Sequence, residues 1–319
     1  MRVQLRRSLT SLSLCFLLTL VLVGPIQAHD INLNFNYFKD DGSAIAVPGA
    51  DVNLELWQGG EISASVSADT VSHASEYQVS EADTVTSASE LEHRLLMTLG
   101  LQQTWQQWKF SVSGYNSTEP DYISRALSFT IARDFFQRNT NLSFHGFWGN
   151  DDISSNEDPD LAETSQRLGG TLSWTQVLSS TRIARVNFSY SQVDGYQANP
   201  YRYALRSASA PAFDNRECLP HERNRFAIYT RLNMYQKNLR AALHPSYRYY
   251  WDDWGIESHE LGLRFYKYLL ADIVSHLDLR FYSQSQADHY QEVWNEPAEY
   301  MTSHAKFAAG QTWLVALGS

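Results

Sequence analysis

The sequence predicts an all-β chain: a single antiparallel transmembrane β-barrel of about 14 strands (12–16), with a periplasmic N-terminus, short periplasmic turns and long outer loops. Three observations predict it. Apolar and polar residues alternate with period two along segment after segment, the signature of strands with one wet and one apolar face. Long and short connections take turns along the chain. An export signal comes first, and no later apolar run is long enough for a membrane helix.

The signal comes from Arg2, Arg6 and Arg7, the apolar run Leu12 to Val23, and Gly24-Pro25-Ile26-Gln27-Ala28. A basic start, an apolar middle and a small residue before the cut define a secretory signal peptide over 1–28, which leaves a barrel over 29–319. Cleavage removes three arginines and no acid, so a chain of net charge −10 becomes more acidic still. That excludes nucleic acid as a partner, because phosphate binding needs a basic surface. Of the 2 cysteines only Cys218 remains, which rules out an internal disulfide and leaves a buried, inert thiol as the expectation. The 18 Tyr, 15 Phe and 9 Trp suit the aromatic girdles of a barrel, and would also suit a secreted β-sandwich.

In chain order, Ile31, Leu33, Phe35 and Tyr37 alternate with asparagines, and Lys39-Asp40-Asp41-Gly42-Ser43 turns the chain. Ile45 to Trp57 and Ile62 to Ala68 flank the hairpin turn Gln58-Gly59-Gly60. The next apolar faces are Leu95, Met97 and Leu99; Trp108, Phe110 and Val112; Leu127, Phe129 and Ile131; and Leu142, Phe144 and Trp148. Then come Leu168, Leu172 and Trp174, the set Val186, Phe188 and Tyr190, and a tenth strand with Phe226, Ile228 and Leu232. The clearest stretch is Leu239 to Ile256, followed by Leu261 to Leu269 and Ile273 to Tyr282. A fourteenth strand is expected from His304 to Leu317. Odd-to-even connections are the long or polar ones: Val71 to Glu90, Tyr115 to Asp121, Asn150 to Glu163, Tyr196 to Glu222 and Gln286 to Ser303. Even-to-odd connections are short, as periplasmic turns are.

Several stretches resemble one family of predicted outer-membrane proteins, known as domain of unknown function thirty-five-seventy. They are Asp83 to Ser89, Ser117 to Ser124, Arg138 to Leu142, Trp174 to Ser179, Gly195 with Asn199-Pro200-Tyr201-Arg202, Glu217 with Pro220 to Arg225, Tyr247 to Ile256, and Arg280 to Tyr290. Glu119, Asp121, Tyr122, Pro200, Tyr201, Arg202, Arg223, Arg225, Asp252, Asp253, Trp254, Tyr282 and Gln284 carry the likeness most sharply. The resemblance implies an outer-membrane barrel of a Gram-negative bacterium, inserted by the barrel-assembly machinery. It also implies periplasmic redox or flavin-attachment proteins as a partner class. Ser87 and Glu90 stand where the family has Gly and Pro. The family is longer, and the end Trp313 to Ser319 lacks a terminal aromatic, so a C-terminal hairpin is expected to be missing.

The polar faces carry Arg94, Lys109, Arg185, Arg231, Arg240, Arg248, Arg264 and Arg280, opposed by Glu92, Glu260 and Asp278. An arginine inside a narrow barrel needs a carboxylate or water, so a stiffening ion-pair network is the first reading and a basic stripe for anions the second. Asp252-Asp253 and Asp288-His289 with Glu292 offer carboxylates and a histidine for acid–base work or a metal. Asn150 to Asp160 is acidic enough to hold calcium weakly, and His29 could ligate through amine and imidazole. No HxxxH, HExxH, CxxC or GxSxG spacing occurs, so no cofactor or resident metal is expected. A channel or scaffold barrel serving a periplasmic partner is the leading function. An outer-surface barrel enzyme and a soluble sandwich are the alternatives.

Overall fold

The computed structural model describes residues 29–39, 44–72, 91–269 and 273–318. Residues 1–28, where a signal peptide is expected, and the loop 73–90, including Ser87 and Glu90, lie outside the described residues. The fourteen strands are β1 (His29–Lys39), β2 (Ala44–Trp57), β3 (Gly60–Ser72), β4 (Leu91–Trp105), β5 (Trp108–Thr118), β6 (Tyr122–Phe135), β7 (Thr140–Ser154), β8 (Ala162–Ser179), β9 (Arg182–Gly195), β10 (Glu222–Gln236), β11 (Ala241–Asp252), β12 (Glu257–Tyr268), β13 (Val274–Gln284) and β14 (Gly310–Gly318). They form one sheet in which each strand pairs antiparallel with its sequence neighbours. β1 and β14 make no ladder with one another among the described residues, so the sheet is an open meander, where a closed cylinder was expected.

Register follows from the turns. The β2–β3 hairpin closes at Gln58-Gly59, where Gly59 has φ +75° and a Cβ would meet the Thr104 carbonyl oxygen at 2.5 Å. The β6–β7 turn places Phe136, Gln137 and Arg138 in succession at positive φ, a conformation that disfavours non-glycine residues. Because directly paired residues share a face, the ladders extend each face sideways. One face joins Leu172, Phe188 and Ile228 on β8, β9 and β10. It continues as Tyr247, Leu261, Phe281 and Trp313 on β11 to β14. No other layer covers it: Leu99 is 57% exposed, Leu172 55% and Leu261 53%. The opposite, concave face joins Tyr229, Arg248, Glu260 and Tyr282.

The buried core lies in the connections at the end where odd strands lead to even ones. Leu219, Trp254, Ile256, Ala287 and Phe307 form one buried cluster, and Ala204, Trp294 and Met301 another. The β9–β10 and β13–β14 connections are stitched together by backbone bridges, Cys218 with Met301 and Arg206 with Trp294. They form a cap over that end of the concave face.

Several boundaries differ from expectation: β5 runs to Thr118, so the connection expected from Tyr115 to Asp121 shrinks to 119–121. β7 and β8 run further, so the acidic loop shrinks to 155–161. β14 begins at Gly310, because 304–309 is drawn into the cap, with Phe307 only 2% exposed. Arg240 is on no strand: it ends a short 3-10 turn, Lys237–Leu239, at φ +47°.

Candidate functional site

The cap is positioned by one tight turn. β11 ends at Asp252, whose carboxylate accepts from the backbone N–H groups of Trp254 (3.1 Å) and Ile256 (2.9 Å). Gly255 completes the turn at φ +80°, with the Asp288 carboxylate against its α-carbon. The Trp254 indole N–H donates to the Glu222 carbonyl (2.8 Å), and its ring takes the Arg223 guanidinium face-on at 4.2 Å. Arg223 Nε donates to Asp252 at 3.0 Å, and Tyr250 donates to the same carboxylate at 2.6 Å. The Asp252 side chain is wholly buried and that of Arg223 11% exposed, so this is an enclosed ion pair with its donors arranged around it. Asp253 accepts from the backbone and side chain of Asn224 (2.9 and 2.8 Å).

A second group of contacts braces the β5–β6 and β7–β8 ends, and Tyr201 fastens the cap to them. Tyr201 donates to the Asp121 carboxylate and accepts from the Asn156 N–H (3.0 Å). Arg167 bridges Ser124 (3.0 Å) and Asp151 (2.7 Å), and Tyr122 also bonds Asp151. Arg94 pairs with Glu119 at 3.2 Å, and Arg125 with Asp152 at 2.8 Å. Pro200 lines a cavity of about 320 Å³ between these ends and the cap. The Arg202 carbonyl accepts from the Glu217 N–H (2.9 Å), and the buried Glu217 carboxylate accepts from Thr302 (2.6 Å) and the Asn199 N–H (2.9 Å).

Below the cap lies a cavity of about 590 Å³. Its floor and walls include Arg223, Arg225, Arg248, Glu260, Tyr282 and Gln284, and Lys306 and Phe307 form part of its roof. Tyr282 donates to Gln284 (2.6 Å), and the Gln284 amide donates to the Lys306 carbonyl (3.0 Å), which fixes where Lys306 sits. The Lys306 chain is open to cavity water, yet protein crowds it. That desolvation, with the guanidiniums of Arg202, Arg223 and Arg225, pushes its pKa down.

The polar residues expected to work together do so only in part. Arg264 on β12 donates to Asp278 on β13 (2.6 Å), directly across the ladder. Arg185 reaches Thr175 (3.2 Å) and Arg231 reaches Asn233 (2.8 Å) and His244 (3.0 Å), none of them a carboxylate. Lys109 and Arg280 are exposed on their strands. Arg240 belongs to the opposite end from the cap, 5.7 Å over the Tyr268 ring.

Of the outer carboxylates, Asp252 and Asp288 lie near enough to His289 to act on its charge. Asp252 and Asp253 are consumed by the turn. His289 is buried, edge-on to Trp254 at 4.7 Å, with Nε2 unpartnered. Burial and Arg223 lower its pKa. Asp151, Asp152 and Asp158 each meet an arginine, and no group of three or more metal-ligating residues occurs among the described residues. Cys218 is exposed, contrary to the buried thiol expected, and burial of its surroundings and Glu299 raise its pKa away from the reactive thiolate. Sequence reasoning missed the cap residues Thr302, Lys306 and Phe307. The available signal was apolar residues, Leu219, Trp294, Met301 and Phe307, inside connections that are otherwise polar.

Among solved structures, the chain is similar in fold to an outer-membrane barrel, the ferric enterobactin receptor from Pseudomonas aeruginosa, solved in complex with enterobactin. The TM-score is 0.51 at 7% identity, over 81% of this chain and 45% of the receptor, so the chain spans less than half the receptor's length. No curated protein matches the sequence. Residues 25–168 and 156–313 match the family described as Protein of unknown function (DUF3570), and the chain belongs to that family.

Proposed function

We propose that the chain is a closed outer-membrane barrel of a Gram-negative bacterium, with β1 meeting β14 and the N-terminus in the periplasm. It works as a capped channel for polar solutes. The observation that carries this reading is the uncovered apolar face, continuous from β8 to β14. Soluble monomers rarely expose an apolar patch above a few hundred Å². In a bilayer the same face is the solvated one, and every edge N–H and C=O must then find a partner, which closure of β1 on β14 supplies. The cap lies on the side of the longer connections, which are extracellular in such barrels. Partners of the periplasmic redox class would meet the short turns. A channel is favoured over a scaffold by the 590 Å³ water-accessible cavity, and an enzyme is disfavoured because Asp252 and Asp253 are fully engaged. Fractionation of the native host and conductance of the purified protein in planar bilayers test it. Recovery in the soluble periplasm, or a silent bilayer with heat-modifiable, folded protein, ends the reading.

A further inference from the structure

The cavity beneath the cap has a charge imbalance. Four cations line it, Arg223, Arg225, Arg248 and Lys306, against the single carboxylate of Glu260. Arg223 is neutralised by the buried Asp252. The other three make no ion pair within 4 Å among the described residues. Arg248 faces Glu260 across the β11–β12 ladder without closing on it. Arg225 is the sharpest case: it is half-buried, and its Nε is shut off from solvent with no hydrogen-bond partner. A guanidinium held this way, beside a second guanidinium and an ammonium, is costly unless an anion completes it. The rest of the chain is acidic, so this concentration of positive charge runs against the overall balance.

The walls define the remainder of the ligand. Phe307, Tyr250 and Tyr282 present rings to the same cavity, and Phe147 enters from β7, where Gly169 leaves room for it: a Cβ there would meet the Phe147 ring at 2.7 Å. Lys306 lies 4.7 Å over the Phe307 ring, and its carbonyl is tied to Gln284, so the ammonium is held from above while Arg225 and Arg248 project from the wall.

We propose that the cavity is a binding site for a small organic anion, a carboxylate or phosphate on an apolar or aromatic body, with Arg225 and Lys306 as its charge-reading residues. The proposal rests on the reading of the concave face as a watery lumen, and it names the substrate class that the capped channel takes.

The test uses the folded full chain in detergent. Binding of benzoate, its neutral counterpart benzamide and its cationic counterpart benzamidine is measured by titration calorimetry, for wild type, Arg225→Gln and Lys306→Gln. Benzoate binds best and benzamidine gives no heat. Each substitution weakens benzoate about tenfold or more, the scale of a lost charge-assisted hydrogen bond. Arg225→Gln leaves thermal stability unchanged or raised, because no ion pair is broken; that control separates lost binding from lost folding. Benzamidine binding as tight as benzoate, or benzoate affinity indifferent to both substitutions, overturns the site. The two readings fail separately: absent conductance with intact benzoate binding removes the channel, and conductance without benzoate binding removes the site.

Discussion

Leu263 and Arg264 are neighbours on β12 and point to opposite faces, so exchanging their chemistries tests the register residue by residue. Leu263 is the seventh of the 12 residues of β12, pairs with Leu279, and is 37% exposed on the uncovered face. In the proposed outer-membrane barrel, arginine there stands near mid-depth in lipid, which costs about 2–4 kcal/mol. Arg264→Leu removes the 2.6 Å pair with Asp278, whose side chains are 39% and 17% exposed. Water reaches this pair, so its loss is screened and costs about 1 kcal/mol or less. Leu263→Arg is therefore the worse change by roughly 1–3 kcal/mol, or about fivefold to more than a hundredfold in the folded ratio. Urea titrations of refolding into lipid vesicles, read by heat-modifiable migration, measure both. Equal tolerance, or a larger loss from Arg264→Leu, would refute the assignment of faces.

Asp252→Asn leaves the enclosed Arg223 without its counter-charge, so the cap should loosen by about 3–5 kcal/mol, seen as rapid protease cutting within 196–221. Gly255→Ala forces φ +80° on a residue with a Cβ and drives it into Asp288, so the same nicking should appear with a milder loss of about 1–2 kcal/mol. A protease site inserted after Asn156, in the loop 155–161, should be cut on intact cells; cutting only after permeabilisation reverses the topology. His289 sits in the cap with Arg223 beside it and Asp288, Asp252 and Glu217 around it, and its pKa is below the usual histidine value. The neutral form is the one the fold favours. Its contribution is thus present above about pH 6.5 and lost as the pH falls through the lower folded value, and His289→Gln should flatten that part of a cap-protection profile.

The wall of the molecule was legible in the sequence because each strand declares itself locally. Leu95, Met97 and Leu99 need only one another to show their period, and Gln58-Gly59 marks its own turn. The meander then follows from short connections. The cap was not legible, because Leu219, Trp254, Ala287 and Phe307 meet from three connections with no shared period. The family stretches pointed to Arg223, Asp252 and Trp254 without saying that they touch. Arg240 was misplaced because alternation was extended one step past the strand into a left-handed turn. The open β1–β14 edge has no local signal either, since closure depends on how every strand is tilted and staggered.

The cap also bears on curvature. Its two cross-bridges, Arg206 with Trp294 and Cys218 with Met301, tie the entry to β10 to the entry to β14, so they span the arc of β10 to β13 like a chord. A chord of fixed length sets the radius of the arc beneath it. A sheet with two free edges has no hoop to hold its bend, and here the clasp at one rim does that work for four strands. It follows that the rim with the cap should be stiffer than the rim with the short turns, and that loosening Asp252 should change the bend of the sheet at one end only.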